Sequence, residues 1–176
     1  MPREKNIAFI DAQNLHLWTK AERWKVDYNK FRIFLKDKFK VDEAYYFLWF
    51  LSEEEQDLYS SLQKAGFIVV FREHSSELKW KKKWNVDVDI VFEMMKRIAE
   101  NKDFDKIVLV SWDGDYIKPV RYLIEKNLLK KILFPNKQYS SLYRSIQDHY
   151  WMNLSLKDVK MRIKYKKSKK TKKETS

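Results

Sequence analysis

Short apolar, strand-forming runs alternate along this chain with segments of helical periodicity, and few architectures accommodate that pattern. Asn6-Ile-Ala-Phe-Ile10 is rich in strand formers and runs into Asp11. Asp27 is placed to cap a helix in which Phe31, Phe34 and Leu35 recur at i, i+3 and i+4. Glu43 to Leu51 reads as a fully buried strand, with aromatic residues at many positions. Glu53 to Ala65 is helical, with Leu58, Leu62 and Ala65 on one side and Gly66 as its stop. Phe67 to Phe71 is a third strand, followed by a polar, basic loop over 73–85. Val86 to Glu100 is a helix with Val91, Met94, Met95 and Ile98 as its inner stripe, and Lys106 to Ser111 is a fourth strand. Tyr116 to Asn127 turns Ile117, Val120 and Ile124 inward, and Lys131 to Phe134 is a fifth strand. Ser140 to His149 and Ser155 to Lys164 read as closing helices. Such alternation predicts an α/β fold in three α/β/α layers around a parallel sheet of about five strands. The expected order is 3-2-1-4-5, with winding reversing between strands one and four. No internal repeat is visible.

Composition removes whole classes of chemistry. The chain has no Cys, which excludes disulfides, thiolate zinc sites, iron–sulfur clusters and a thiol nucleophile. Its only glycines are Gly66 and Gly114, so neither GxGxxG nor the P-loop motif is present and dinucleotide and P-loop enzymes drop out. His16, His74 and His149 are too scattered for an HExxH zinc site. The longest apolar run, Ala44 to Leu51, is far short of the roughly 20 residues that cross a bilayer. The first residues do not form a signal peptide, so a soluble cytoplasmic protein is expected. What remains for chemistry is carboxylates, hydroxyls and an excess of base.

That excess, +12 overall, is concentrated at one end. Residues 160–176 carry eight lysines and Arg162 against Glu174 alone. With 1–159 as the folded domain, 160–176 is expected to be a disordered basic tail. Lysines brought to phosphates release counterions, which favours nucleic acid without reading its sequence; a solubilising tail, or one drawn to any polyanion, is the plainer alternative. A second cluster lies inside the domain, where Lys79, Lys81, Lys82 and Lys83 interleave with Trp80 and Trp84. Such a loop suits phosphate tracking and base stacking, although lysines snorkelling around packed tryptophans make the same pattern. Aromatic residues are 16% of the chain, more than a domain this size easily buries, which suggests a homodimer or a stacking surface for RNA.

Acidic residues fall where an open α/β sheet binds ligands, beyond the strand carboxyl ends at the reversal of winding. Asp11 follows strand one, and Asp113 and Asp115 follow strand four in Ser111-Trp-Asp-Gly-Asp115. On a helical wheel Asp87 lies within about 40° of Val91, Met94 and Ile98, in the first turn, where negative charge is tolerated. Asp89 and Glu93 fall on the opposite side. Carboxylates crowded in this way raise one another's pKa unless a cation sits among them. With no suitable His or Cys, Mg²⁺ or Mn²⁺ is the natural guest. Taken singly, each acid has a plainer reading as a turn residue or helix cap.

Three motifs carry a family resemblance: Phe9-Ile-Asp11-Ala-Gln-Asn14-Leu, Val86-Asp87-Val88 and Ser111-Trp-Asp113-Gly-Asp115-Tyr. In order and spacing the chain resembles the NYN domain family, in the LabA-like branch of the PIN-like nucleases, from about Asn6 to His149. The resemblance implies a PIN-like fold and metal-dependent endonuclease activity, most often on RNA. It assigns Asp11, Asp87, Asp113 and Asp115 as metal-binding acids, Asn14 as a residue that orders the site, and Ser111 as its neighbour at the strand end. Glu93 matches a position where the family often has Asp. Trp112 replaces a common glycine, adding a ring that either stacks a base or packs beside the acids.

The expected function is therefore a metal-dependent endoribonuclease using Mg²⁺ or Mn²⁺. Lys79, Lys81, Lys82, Lys83 and the tail recruit the RNA backbone, and Trp80, Trp84 and Trp112 are stacking candidates. A non-catalytic RNA-binding or scaffold protein uses the same surfaces. A phosphatase with Asp11 as nucleophile is a third, weaker reading, since the common haloacid-dehalogenase-like Asp-x-Asp start is missing after strand one.

Overall fold

A computed structural model describes residues 3–48, 55–71, 86–100 and 103–166. The Lys79–Trp84 cluster, positions 49–51 of the expected second strand and most of the basic tail lie outside the described residues. In chain order the elements are β1 (Asn6–Asp11), α1 (Ala12–Ala21), α2 (Tyr28–Phe39), β2 (Val41–Leu48), α3 (Gln56–Lys64) and β3 (Ile68–Phe71). Then follow α4 (Val86–Ala99), β4 (Lys106–Val110), α5 (Ile117–Glu125), β5 (Leu129–Phe134), β6 (Trp151–Asn153) and α6 (Lys157–Ile163).

The strands form one sheet of order β3-β2-β1-β4-β5-β6, with every pair parallel. The first five strands stand in the expected order, and β6 adds an edge. β1 is central and wholly buried. Its side chains alternate between two cores. Ala8 and Ile10 pack with Phe31, Phe34, Leu35 and Leu62, from α2 and α3. Ile7 and Phe9 pack with Ile90 and Met94 of α4 and with Val120 and Leu123 of α5. This alternation is the period of two that places successive strand residues on opposite faces.

Local chemistry sets the boundaries. Asp27 caps α2 by accepting from the Lys30 backbone N–H at 3.1 Å, as its position predicts. Gly66 takes φ +87°, a left-handed turn that lets the chain leave α3 for β3. Arg32 of α2 ties that turn to β2, donating to the carbonyls of Gly66 at 3.0 Å and Val41 at 3.1 Å.

Three expectations are corrected. The helix α1, directly after β1, was not legible as a separate element. The segment 140–149 is not a helix but two short 3₁₀ turns, Ser141–Ser145 and Asp148–Tyr150, ahead of β6. Tyr143 is drawn inward there, donating to the Asp113 carbonyl at 2.6 Å with its ring 5.1 Å from Phe134, and these tertiary contacts replace helical ones. On α4 the fully buried residues are Ile90 and Met94, while Val91, Met95 and Ile98 are partly buried. The inner face is thus turned from the expected stripe toward Ile90.

Met94→Ala leaves a cavity under α4 and is expected to cost about 2–5 kcal/mol. Urea unfolding checks this; a loss below about 1 kcal/mol means that α4 does not depend on this contact.

Candidate metal centre

β1 and β4 are paired in register through Ile10 and Val110, so the next residues, Asp11 and Ser111, emerge side by side at the carboxyl edge. The chain then turns twice. After β1 it enters α1, and the Asn14 backbone N–H donates to Asp11 Oδ1 at 3.0 Å. The Asn14 side-chain amide donates to the other oxygen, Asp11 Oδ2. Both oxygens of a buried carboxylate are thereby held by one residue three positions on.

After β4 a 3₁₀ turn, Gly114–Tyr116, arranges the other acids. The Asp113 backbone N–H donates to buried Ser111 Oγ at 3.1 Å, and Asp113 Oδ1 accepts from the Asp115 N–H at 3.0 Å. Gly114 is required by space. A Cβ there would sit 2.5 Å from Ser140 Oγ and 3.0 Å from Leu142 Cδ1. The first turn of α4 brings Asp87 from the other side. Asp87, Asp113 and Asp115 each present one carboxylate oxygen, all within 4.8 Å of one another.

Asp11 lies beside this trio and deeper, 2% exposed. Burial raises its pKa to about 6, the charges of Asp87 and Asp113 add to the rise, and the two Asn14 donors oppose it. Tyr116, absent from the residues expected at the site, packs beneath the same acids. It is fully buried, and its hydroxyl lies against the Asp87 carboxylate. Burial, then the charges of Asp11 and Asp87, push its pKa well up. Its position directly after Asp115 was the available signal.

The other expected residues divide. Asn14 and Ser111 are buried next to the acids they orient. Trp112 is half-buried against the α4–α5 core. Glu93 does not join the cluster. It pairs with Arg97 at 3.0 Å, and Arg97 reaches Glu43 at 3.5 Å and stacks over Tyr45 at 4.7 Å. The helical wheel had placed Glu93 off the inner face. Lys79, Trp80, Lys81, Lys82, Lys83 and Trp84 lie outside the described residues.

The donor set fits a hard divalent cation. It is all oxygen, it carries no soft ligand, and two of its members, Asp87 and Asp113, are half-buried. At an effective dielectric of about 20, two such charges repel by about 3 kcal/mol. The raised Asp11 marks the same local excess of negative charge.

In the unfolded chain Asp11 titrates near 3.8. Between that pH and about 6 the folded form keeps a proton that the unfolded form has lost, so stability falls as pH rises through the window. Asp11→Asn is therefore expected to stabilise the metal-free protein by about 2–3 kcal/mol at neutral pH and by little at pH 4. Among the described residues Asn14 Oδ1 has no hydrogen-bond partner, so its amide can turn to accept from the new side chain. A stability difference that does not change with pH, in denaturant melts, refutes the strained carboxylate. Gly114→Ala is expected to cost about 1–3 kcal/mol by overpacking; an unchanged melting temperature shows that the Ser140 loop yields freely.

The comparisons agree with this geometry. The NYN domain profile matches residues 6–153. Over 161 residues the chain is 21% identical to the low amplitude and bright protein LabA of Synechococcus elongatus, covering 86% of this chain and 83% of that one. A crystal structure of a Vibrio parahaemolyticus protein of unknown function superposes with a TM-score of 0.67 at 22% identity, covering 86% of this chain and 93% of the other, and so shares the fold. With its profile match running from the first strand to the last, and with an aspartate cluster that fits a nuclease, this chain belongs to the NYN domain family.

Proposed function

We propose that this chain is a metal-dependent endoribonuclease. The observation that carries the reading is the convergence of Asp87, Asp113 and Asp115 within 4.8 Å, with Asp11 buried alongside. In this reading Asp11, Asp87, Asp113 and Asp115 hold Mg²⁺ or Mn²⁺. When bound, such an ion lowers the pKa of a coordinated water and offsets charge developing on a phosphodiester.

The protein's own residues do the positioning. Asn14 fixes the rotamer of Asp11 through two donors, so that carboxylate is aimed before any ligand arrives. Ser111, the Asp115 N–H and the Tyr143 hydroxyl hold Asp113 from three directions. Such outer contacts orient ligands, and losing one commonly costs about 10–100-fold in metal affinity or activity. Asp115 is exposed, on the side open to a strand of RNA. Trp112, half-buried beside the acids, is placed to stack a base.

Recruitment of RNA falls to the basic segments. Lys79, Lys81, Lys82 and Lys83, with Trp80 and Trp84, are separated from α4 by Asn85 alone, and so are tethered to the helix that carries Asp87. The lysine-rich stretch 166–176, beyond α6, adds charge without sequence preference. No helix among the described residues is long and apolar enough to cross a membrane.

Single-stranded RNA incubated with Mn²⁺ or Mg²⁺ is expected to be cut internally, and chelation is expected to stop the cutting. Asp113→Asn should reduce the rate by more than about a hundredfold, since it removes a ligand rather than an outer contact. Fold and RNA affinity should stay near wild type. Retarded RNA with no metal-stimulated product, even after long incubation, instead marks a non-catalytic RNA-binding protein.

A further inference from the structure

A second concavity opens on the face of the sheet opposite α4 and α5. It has a volume of about 790 Å³ and lies between α1, the start of α2, α3 and β2. Small-ligand sites occupy roughly 300–1,000 Å³, so it has room for a nucleotide. Lys20, Lys25 and Lys64 stand on its walls, and none of their side chains makes an ion pair or hydrogen bond among the described residues. Among the described lining residues the one carboxylate, Asp27, is already engaged by the Lys30 backbone at 3.1 Å and by Lys30 Nζ at 3.4 Å. Three lysines unpaired among the described residues therefore stand on the cleft, with the Glu55 charge reaching its Tyr28 wall.

Its other surface is aromatic. Tyr28 packs edge to face on Tyr46, ring centroids 5.9 Å apart. Tyr165 is half exposed yet anchored, because its backbone N–H donates to the Lys25 carbonyl at 2.9 Å and Val26 bridges Lys164 alongside. Trp24 is 3% exposed, and its indole N–H finds no acceptor. Unpaired cations beside a half-exposed ring, Tyr165, and a partly exposed one, Tyr28, are what a phosphate followed by a base requires.

We propose that this cleft binds a nucleoside phosphate unit, with the phosphate on Lys20, Lys25 and Lys64 and the base against Tyr28 and Tyr165. The unit comes from single-stranded RNA or from a free nucleotide. The strand form rests on the reading of the acid cluster as an RNA-cutting site. Asp11 and the cleft residue Tyr46 stand on the neighbouring strands β1 and β2, and in the strand form the proposed RNA runs from the acids to the cleft.

The test uses full-length protein carrying Asp113→Asn, in chelator, so that affinity is read without cutting. Binding of a labelled single-stranded RNA is followed by fluorescence anisotropy across a salt series, with adenosine monophosphate as competitor. Combined Lys20→Gln, Lys25→Gln and Lys64→Gln is expected to weaken RNA binding about tenfold and to flatten the salt slope by about 2, near 0.7 per phosphate contact. Tyr165→Ala is expected to weaken it about fivefold or more. Combined Lys36→Gln, Lys38→Gln and Lys40→Gln removes equal charge outside the cleft lining and should stay within twofold of the parent.

Displacement of RNA by the mononucleotide supports a cleft that also takes free nucleotides. Loss of affinity in the cleft variants without such displacement supports the strand form. Equal weakening by both triple variants, or no weakening by either, overturns the proposal. Cutting is assayed separately, in the Asp113 background. Failure of cutting with cleft binding intact removes the nuclease reading and leaves the cleft standing as a nucleotide site.

Discussion

Everything at the candidate site depends on the parallel pairing of β1 with β4. Residues about a hundred positions apart are brought side by side only because Ile10 and Val110 stand opposite one another in a buried ladder. Backbone hydrogen bonds and two packed cores hold that register, and a one-residue slip would turn Asp11 to the other face. The acids repel, so the sheet must supply the order that their own electrostatics oppose. Local hydrogen bonds, from Asn14 to Asp11 and from Asp113 to Ser111 Oγ, offset part of the desolvation.

The two faces of the sheet divide the work. Against one face, α4 and α5 bury Ile90, Met94 and Val120 and deliver Asp87 to the edge. Against the other, α2, α3 and α6 bury the aromatic core around Phe31 and Phe34, and with α1 they leave the lysine-lined cleft.

Much of the arrangement was legible in particular residues. Strand order followed from the alternation of β-rich and helical segments, and Asp27 and Gly66 marked the start of α2 and the turn after α3. Asp87 could be singled out from Asp89 and Glu93 because helical spacing puts it with the inner residues, and the structure places Glu93 in an ion pair with Arg97 instead. The misses were elements whose stability is tertiary. α1 follows β1 with no loop to mark its start, β6 is three residues long, and the 140–149 segment is shaped by the Tyr143 contact with Asp113.

By itself the sequence determined the layer architecture, the chemistry available and which acids precede or follow which element. These depend on periodicity and residue type, which are local properties. Only the tertiary structure decided that Asp11 sits buried beside the trio of Asp87, Asp113 and Asp115, that the buried Tyr116 hydroxyl lies against Asp87, and that a side chain at Gly114 would press on Ser140. Burial and close approach come from residues far apart in the chain, and no spacing along one strand or helix encodes the atom that will arrive from another.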